Sequence, residues 1–206
     1  MFFSFCAYVR AFIKKLFIFV DCADPLTWHR LTGFISTAEL RATCRSVGKN
    51  VIVGKVTIWA QRKGDSGFVI LEDNVRLYDG CRLVVDNVSP NSGITIRKGS
   101  SLNFNCYVEG SGGVTIEEGA KIGPNVSILS SSHSTTPGQA ENKKHSPVHI
   151  KKNVWIGANV VIMHGITIGE NAIVGAGSIV TKDVPDADKV AGVPARSILK
   201  RETEKT

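Results

Sequence analysis

Five histidines, His29, His133, His145, His149 and His164, carry most of the proton chemistry available to this chain of 206 residues. An imidazole titrates close to neutral pH, so each could in principle take a proton from an attacking hydroxyl and later return it. His145 and His149 are four apart, the spacing at which two ligands share one side of a helix. Pro147 between them disfavours a helix, and no carboxylate or cysteine cluster completes a coordination set, so no metal site is expected. The five cysteines, Cys6, Cys22, Cys44, Cys81 and Cys106, also lack paired metal spacing. Their odd number fits a reducing cytoplasm better than a disulfide framework. The run Gly175 to Ser178 could open a dinucleotide-binding loop, but Val180 stands where the third glycine belongs and no helix pattern follows.

The element that positions these side chains is a repeat of six. Ile150, Ile156, Ile162, Ile168, Val174 and Val180 recur at that interval, and two residues before each stands Val148, Val154, Val160, Ile166, Ala172 or Ser178. A period of six fits neither the 3.6 of a helix nor the 2 of a plain strand, so the unit is a short strand plus its corner. Residues two apart on a strand share a face, which turns both sets inward and leaves corners for Asn153, Gly157, Asn159, Gly165, Gly169, Asn171, Gly175 and Gly177. Three units close one triangular coil. The same phase appears as Leu71, Leu77 and Leu83, as Ile96, Leu102 and Val108, and as Ile116, Ile122 and Ile128, with insertions at Asn87 to Gly93 and Gly110 to Gly113. The polar stretch between Ile128 and Ile150 reads as a loop thrown out from the prism. Cys81 and Cys106 fall on the small inward position, as core filler; His149 should point outward and His164 should sit at a solvated corner.

At 43% apolar residues the chain suffices for one domain with a layered core. Its formal charge of +7 suggests anionic partners. Nucleic acid is not expected, because many of the aromatics lie in the first twenty residues rather than along a basic stripe. Residues Met1 to Val20 are mostly apolar but interrupted by Arg10, Lys14 and Lys15, which fits neither a signal peptide nor a spanning helix. Two readings stand for them: a helix lying on the inner membrane leaflet, or one packed on its own column or a neighbouring subunit. The expected division is a helical or irregular segment over 1–48, a column over 49–193 with an extended loop at 129–147, and a short C-terminal helix and tail over 194–206.

The strings SSSH at Ser130 to His133, NVWIGANVVI at Asn153 to Ile162, ITIGENAIVGAGSIVTKDVP at Ile166 to Pro185 and AGVPAR at Ala191 to Arg196 resemble the hexapeptide-repeat acyltransferases, nearest the maltose, galactoside and polysaccharide O-acetyltransferases. The resemblance covers about residues 50 to 200. It implies a left-handed parallel β-helix, a hand that general physics would not have chosen, since parallel crossovers are right-handed in nearly all cases. It also implies a homotrimer with active sites between columns, and acetyl-CoA as acyl donor. His133 would be the general base. The N–H of Ala158 would stabilise the oxyanion; Ala158, Ala176, Thr181, Lys182 and Arg196 would hold the cofactor; Asn103 and Trp155 would meet the acceptor.

The function so implied is transfer of acetyl from acetyl-CoA to a sugar hydroxyl of a surface-polysaccharide or lipopolysaccharide precursor. A lipid-linked or polymer-precursor glycan assembled at the membrane face is favoured over a free oligosaccharide by the aromatic, basic N-terminus, where the small soluble maltose and galactoside enzymes carry a polar helical cap. The alternatives are a serine or nucleotide-sugar N-acetyltransferase, and a non-catalytic β-helix.

Overall fold

The computed structural model describes residues 44–61, 68–86, 90–134 and 143–199. The first twenty residues, with both readings of their helix, lie outside the described residues. Among those described, no helix is long and apolar enough to cross a membrane.

The hexads fold into a column with three flat faces, each a parallel sheet. The first face stacks Ser46–Val47, Val69–Leu71, Ile94–Ile96, Val114–Ile116, Val148–Ile150 and Thr167–Ile168. The second stacks Ile52–Val53, Arg76–Leu77, Ser101–Leu102, Lys121–Ile122, Trp155–Ile156, Ile173–Val174 and Lys189–Ala191. The third stacks Thr57–Gln61, Arg82–Asp86, Tyr107–Glu109, Ser127–Leu129, Val161–Ile162 and Ile179–Val180. The column is a left-handed parallel β-helix, the hand that the resemblance implies.

Register places like on like. Leu71, Ile96, Ile116, Ile150 and Ile168 are consecutive partners down one face, and Leu83, Val108, Ile128, Ile162 and Val180 down another. The aliphatic residues of these lines are at most 1% exposed, so each contributes roughly 1.5–3 kcal/mol of transfer free energy. The smaller inward line is filled as its sequence phase requires: Cys81, Cys106 and Ser178 are buried there, and their polar atoms are satisfied by carbonyls at the corners. Cys81 Sγ donates to Asn103 O at 3.1 Å, Cys106 Sγ to Gly123 O at 3.2 Å and Ser178 Oγ to Gly175 O at 2.7 Å.

The corners are where the chain must enter the left-handed region. Between the first and second faces, Asn50, Asn74, Gly99, Gly119, Asn153, Asn171 and Ala187 all have positive φ. Asparagine tolerates this conformation and glycine is free in it, whereas Ala187 holds it at some cost.

Two segments depart from the hexad. Residues 129–147, expected as a loop, contain a hairpin: Ser131–His133 pairs antiparallel with Lys143–His145. The expected helix over 194–206 is not formed through Leu199. Gly192 turns the chain back at φ +96°, and Arg196–Ser197 runs antiparallel to Lys189–Ala191. Ala195 N–H reaches Ile179 O at 2.8 Å and Ile198 N–H reaches Lys189 O at 2.7 Å, so carbonyls of the last coil take the donors that a helix would have used internally.

Candidate active site

Below Asn103, the edge between the second and third faces carries only small side chains. Asn103, Gly123, Gly157 and Gly175 stack in one line, joined by Asn103 N–H to Ile122 O, Gly123 N–H to Ile156 O and Gly157 N–H to Val174 O at 2.8–2.9 Å. The coils approach so closely that a Cβ on Gly157 would lie 2.6 Å from Ala176 N, so no other residue fits. Beside this line run Pro124, Ala158 and Ala176, linked by Asn159 N–H to Pro124 O and Gly177 N–H to Ala158 O. Among the described residues the N–H groups of Ala158 and Ala176 make no hydrogen bond. The result is a narrow ridge with spare backbone donors, suited to an extended chain that bonds as a strand does.

Asn103 stands at the upper end of the ridge, its Oδ1 accepting from Phe104 N–H at 2.8 Å, which leaves its NH₂ to donate outward. Tyr78 lies in the same line above it and packs on Phe104 with ring centroids 5.2 Å apart. Both rings are exposed, an aromatic platform that hexad phase did not foretell. Arg196 is exposed on the strand below the ridge, with Nη1 bonded to Ala195 O. Trp155 points outward from the second face between Lys121 and Ile173, 58% exposed and off the ridge. Thr181 and Lys182 are exposed at the next edge, after Ile179–Val180.

That next edge, between the third and first faces, carries His133. The hairpin leaves it after Ser127–Leu129, and His133 is exposed, facing Lys143 across the pair of strands. The root is held by a buried carboxylate. Glu109 is 9% exposed; its Oε1 accepts from Ser111 N–H at 2.8 Å and its Oε2 from Ser130 N–H at 3.0 Å, with Ser130 Oγ 3.1 Å away. Burial by itself would raise this carboxyl, but hydrogen bonds from Ser111, Ser131 and Ser130 outweigh it and hold it below the ordinary glutamate range. Strand alternation turns Glu109 away from the prism interior, and the hairpin root covers it. A lone acid ahead of a Gly-Ser-Gly-Gly insertion was the only signal in the sequence.

His149 is exposed, as expected, with Nε2 3.7 Å from Glu117 Oε1. His164 is half-buried rather than freely solvated. His145 faces Ser131 in the hairpin, and its Nδ1 is shut from solvent without a hydrogen-bond partner. Among the described residues no group of three or more His, Cys, Asp or Glu could hold a metal ion.

The family model for the bacterial transferase hexapeptide (six repeats) matches residues 147–182. In fold, the chain is similar to a variant of AntD, an N-acyltransferase from Bacillus cereus in complex with dTDP-4-amino-4,6-dideoxyglucose and coenzyme A, at TM-score 0.66 and 30% identity over 81% of this chain and 89% of that one. The chain belongs to the hexapeptide-repeat acyltransferases. It is also similar to a galactoside acetyltransferase in complex with coenzyme A, at TM-score 0.52 and 29% identity over 87% of this chain and 84% of that one. In sequence it is 43% identical to the galactoside O-acetyltransferase of Escherichia coli (strain K12) over 112 residues, which are 52% of this chain and 54% of that protein. Nodulation protein L of Rhizobium meliloti (strain 1021) is 46% identical over 105 residues, 50% of this chain and 57% of that protein. The chain thus spans about half the length of the curated relatives it matches.

Proposed function

We propose that this protein transfers an acetyl group from acetyl-CoA to a sugar hydroxyl of a bacterial surface-polysaccharide or lipopolysaccharide precursor, with His133 as general base. The observation that carries the reading is the ridge of Gly123, Gly157, Gly175, Pro124, Ala158 and Ala176, low in side chains, on which the N–H groups of Ala158 and Ala176 are unpaired. A pantetheine arm fits such a surface, and Arg196 at its lower end suits a phosphate. Lys182 and Thr181 are assigned to the nucleotide end of the donor, and Trp155 flanks the acceptor.

In the reaction His133 takes the proton as the sugar oxygen attacks the thioester carbonyl carbon. The oxyanion so formed is stabilised by the Ala158 N–H, a contribution of about 2.7–4 kcal/mol where such donors have been removed elsewhere. Collapse breaks the C–S bond, and the imidazolium returns its proton to the departing thiolate. Within one column His133 and the ridge stand on different edges of the third face. A homotrimer, in which one copy's hairpin meets another's ridge, would complete the site. The protein would act in the cytoplasm.

A second reading is favoured by one observation: the fold likeness to the amino-sugar N-acyltransferase reaches TM-score 0.66, against 0.52 for the galactoside acetyltransferase. An amine attacks with less help from a base. Thiol release from acetyl-CoA, measured with galactosides, polysaccharide fragments and dTDP-amino sugars, separates the two. His133→Asn should abolish turnover on the hydroxyl acceptor with the assembly intact; retained turnover removes His133 from the role.

A further inference from the structure

The insertion at Gly110 to Gly113 has no place in the hexad: Gly110 is bonded to Val84 and Gly93 of the neighbouring coil, and Gly112 meets the root of the hairpin. Gly112 N–H donates to Ser130 Oγ at 2.8 Å, and Ser130 O accepts from Ser146 N–H at 2.9 Å, so one serine ties both strands of the hairpin to the insertion. A Cβ on Gly112 would lie 2.2 Å from Ser130 O. Ser111 Oγ accepts from Asp86 N–H at 3.0 Å, and the Asp86 carboxylate pairs with Lys143, the residue opposite His133, at 3.2 Å. Glu109 sits in the middle, bonding Ser111 on one side and Ser130 on the other, with the Ser131 hydroxyl near enough to lower its pKa.

We propose that Glu109 and the turn Gly110–Gly113 form a socket that sets the hairpin carrying His133, which makes Glu109 a positioning residue for the transfer; this rests on the reading of His133 as base. The chemistry of the socket requires a carboxylate. Both of its oxygens accept backbone N–H groups, from Ser111 and Ser130, so the NH₂ of a glutamine would face an N–H in either orientation and leave a buried donor unpaired. Aspartate is one methylene short of reaching both. Ser131 is two residues from His133, so a shift at the root moves the imidazole directly.

The test is Glu109→Gln in the full-length protein, with Ser131→Ala as a milder variant that deletes a single hydroxyl. A displacement near 1 Å should lower kcat roughly 100-fold in Glu109→Gln, with KM for acetyl-CoA unchanged because the ridge is untouched. Ser131→Ala should move kcat the same way by less. Hydrogen exchange should accelerate tenfold or more, on the order expected for local opening, at residues 127–134 and 143–148 and nowhere else in the column. Wild-type kcat with unaltered exchange overturns the proposal. So does acceleration in every coil together with a raised KM for acetyl-CoA, which would mark Glu109 as general scaffold. If His133→Asn keeps its turnover the reading of the base fails, and the positioning role falls with it, while the exchange data still report whether the socket exists.

Discussion

Substituting Gly157 by alanine tests the ridge without asking for any unusual backbone, because Gly157 is not among the residues of positive φ. The new Cβ would stand 2.6 Å from Ala176 N and 2.9 Å from Ala176 Cα. Ordinary contact needs about 3.5 Å, so the two coils must part locally by roughly 0.9 Å. The bonds bridging them there are Gly157 N–H to Val174 O at 2.8 Å, Trp155 N–H to Ala172 O at 3.0 Å and Gly177 N–H to Ala158 O at 2.8 Å. Stretched by that amount they leave hydrogen-bonding range, and two or three such losses at about 0.5–1.5 kcal/mol each come to roughly 1–4 kcal/mol. For a chain of this size that is a fall in Tm of about 3–15 °C. The separation also displaces the Ala158 and Ala176 N–H groups, so KM for acetyl-CoA should rise. The control is Gly99→Asn: a Cβ at Gly99 would have nothing within 4 Å, and φ is +70°, which asparagine accepts. Scanning calorimetry and thiol-release kinetics read both variants. Gly157→Ala with unchanged Tm and unchanged KM would refute the argument that close coil approach builds the donor surface.

Ala187 continues a corner line of Asn and Gly at φ +57°, so Ala187→Asn or Ala187→Gly should stabilise the column by about 0.5–1 kcal/mol in urea unfolding. The Glu109 carboxyl, depressed by its three serines, contributes stability that is fully present above the ordinary glutamate pKa and is lost as pH falls through its lower folded value. Melting curves of the wild type and Glu109→Gln should therefore differ most at neutral pH and converge in acid; a constant gap at all pH values would contradict this. Burial pushes the Cys44 thiol up to about 11, and Cys106 is raised by its hydrogen bond with Cys81 and by burial. Cys44 and Cys106 should thus resist iodoacetamide at pH 7.5 until the column unfolds, as read by peptide mass spectrometry.

The column was legible because its cause is local and repeated. Each hexad states its own inward pair and its own corner, and stacking like on like only multiplies that statement. The glycine corners of the ridge were legible for the same reason, since Gly157 and Gly175 hold equivalent places in successive coils, whereas Ala158 and Ala176 entered through the family resemblance. What escaped depends on contacts between segments with no shared phase. Glu109 meets Ser130 across twenty-one residues, and alternation alone would have left it in solvent. The return of Arg196–Ser197 depends on carbonyls at Ile179 and Lys189, which a reading of the charged tail as helix could not anticipate. Tyr78 and Phe104 come together because their corners lie one coil apart, on adjoining lines of the same edge.

A column of identical steps has no natural last step. Its final parallel strand, Lys189–Ala191, would offer bare amides and carbonyls in the register that another molecule's first coil could continue, a template for end-to-end fibres. The reversed strand Arg196–Ser197 occupies that rim with the opposite polarity, and neither residue is an inward aliphatic. The reversed strand therefore serves as a stopper that keeps a self-propagating geometry finite, and disrupting its pairing should convert a discrete particle into an aggregating one.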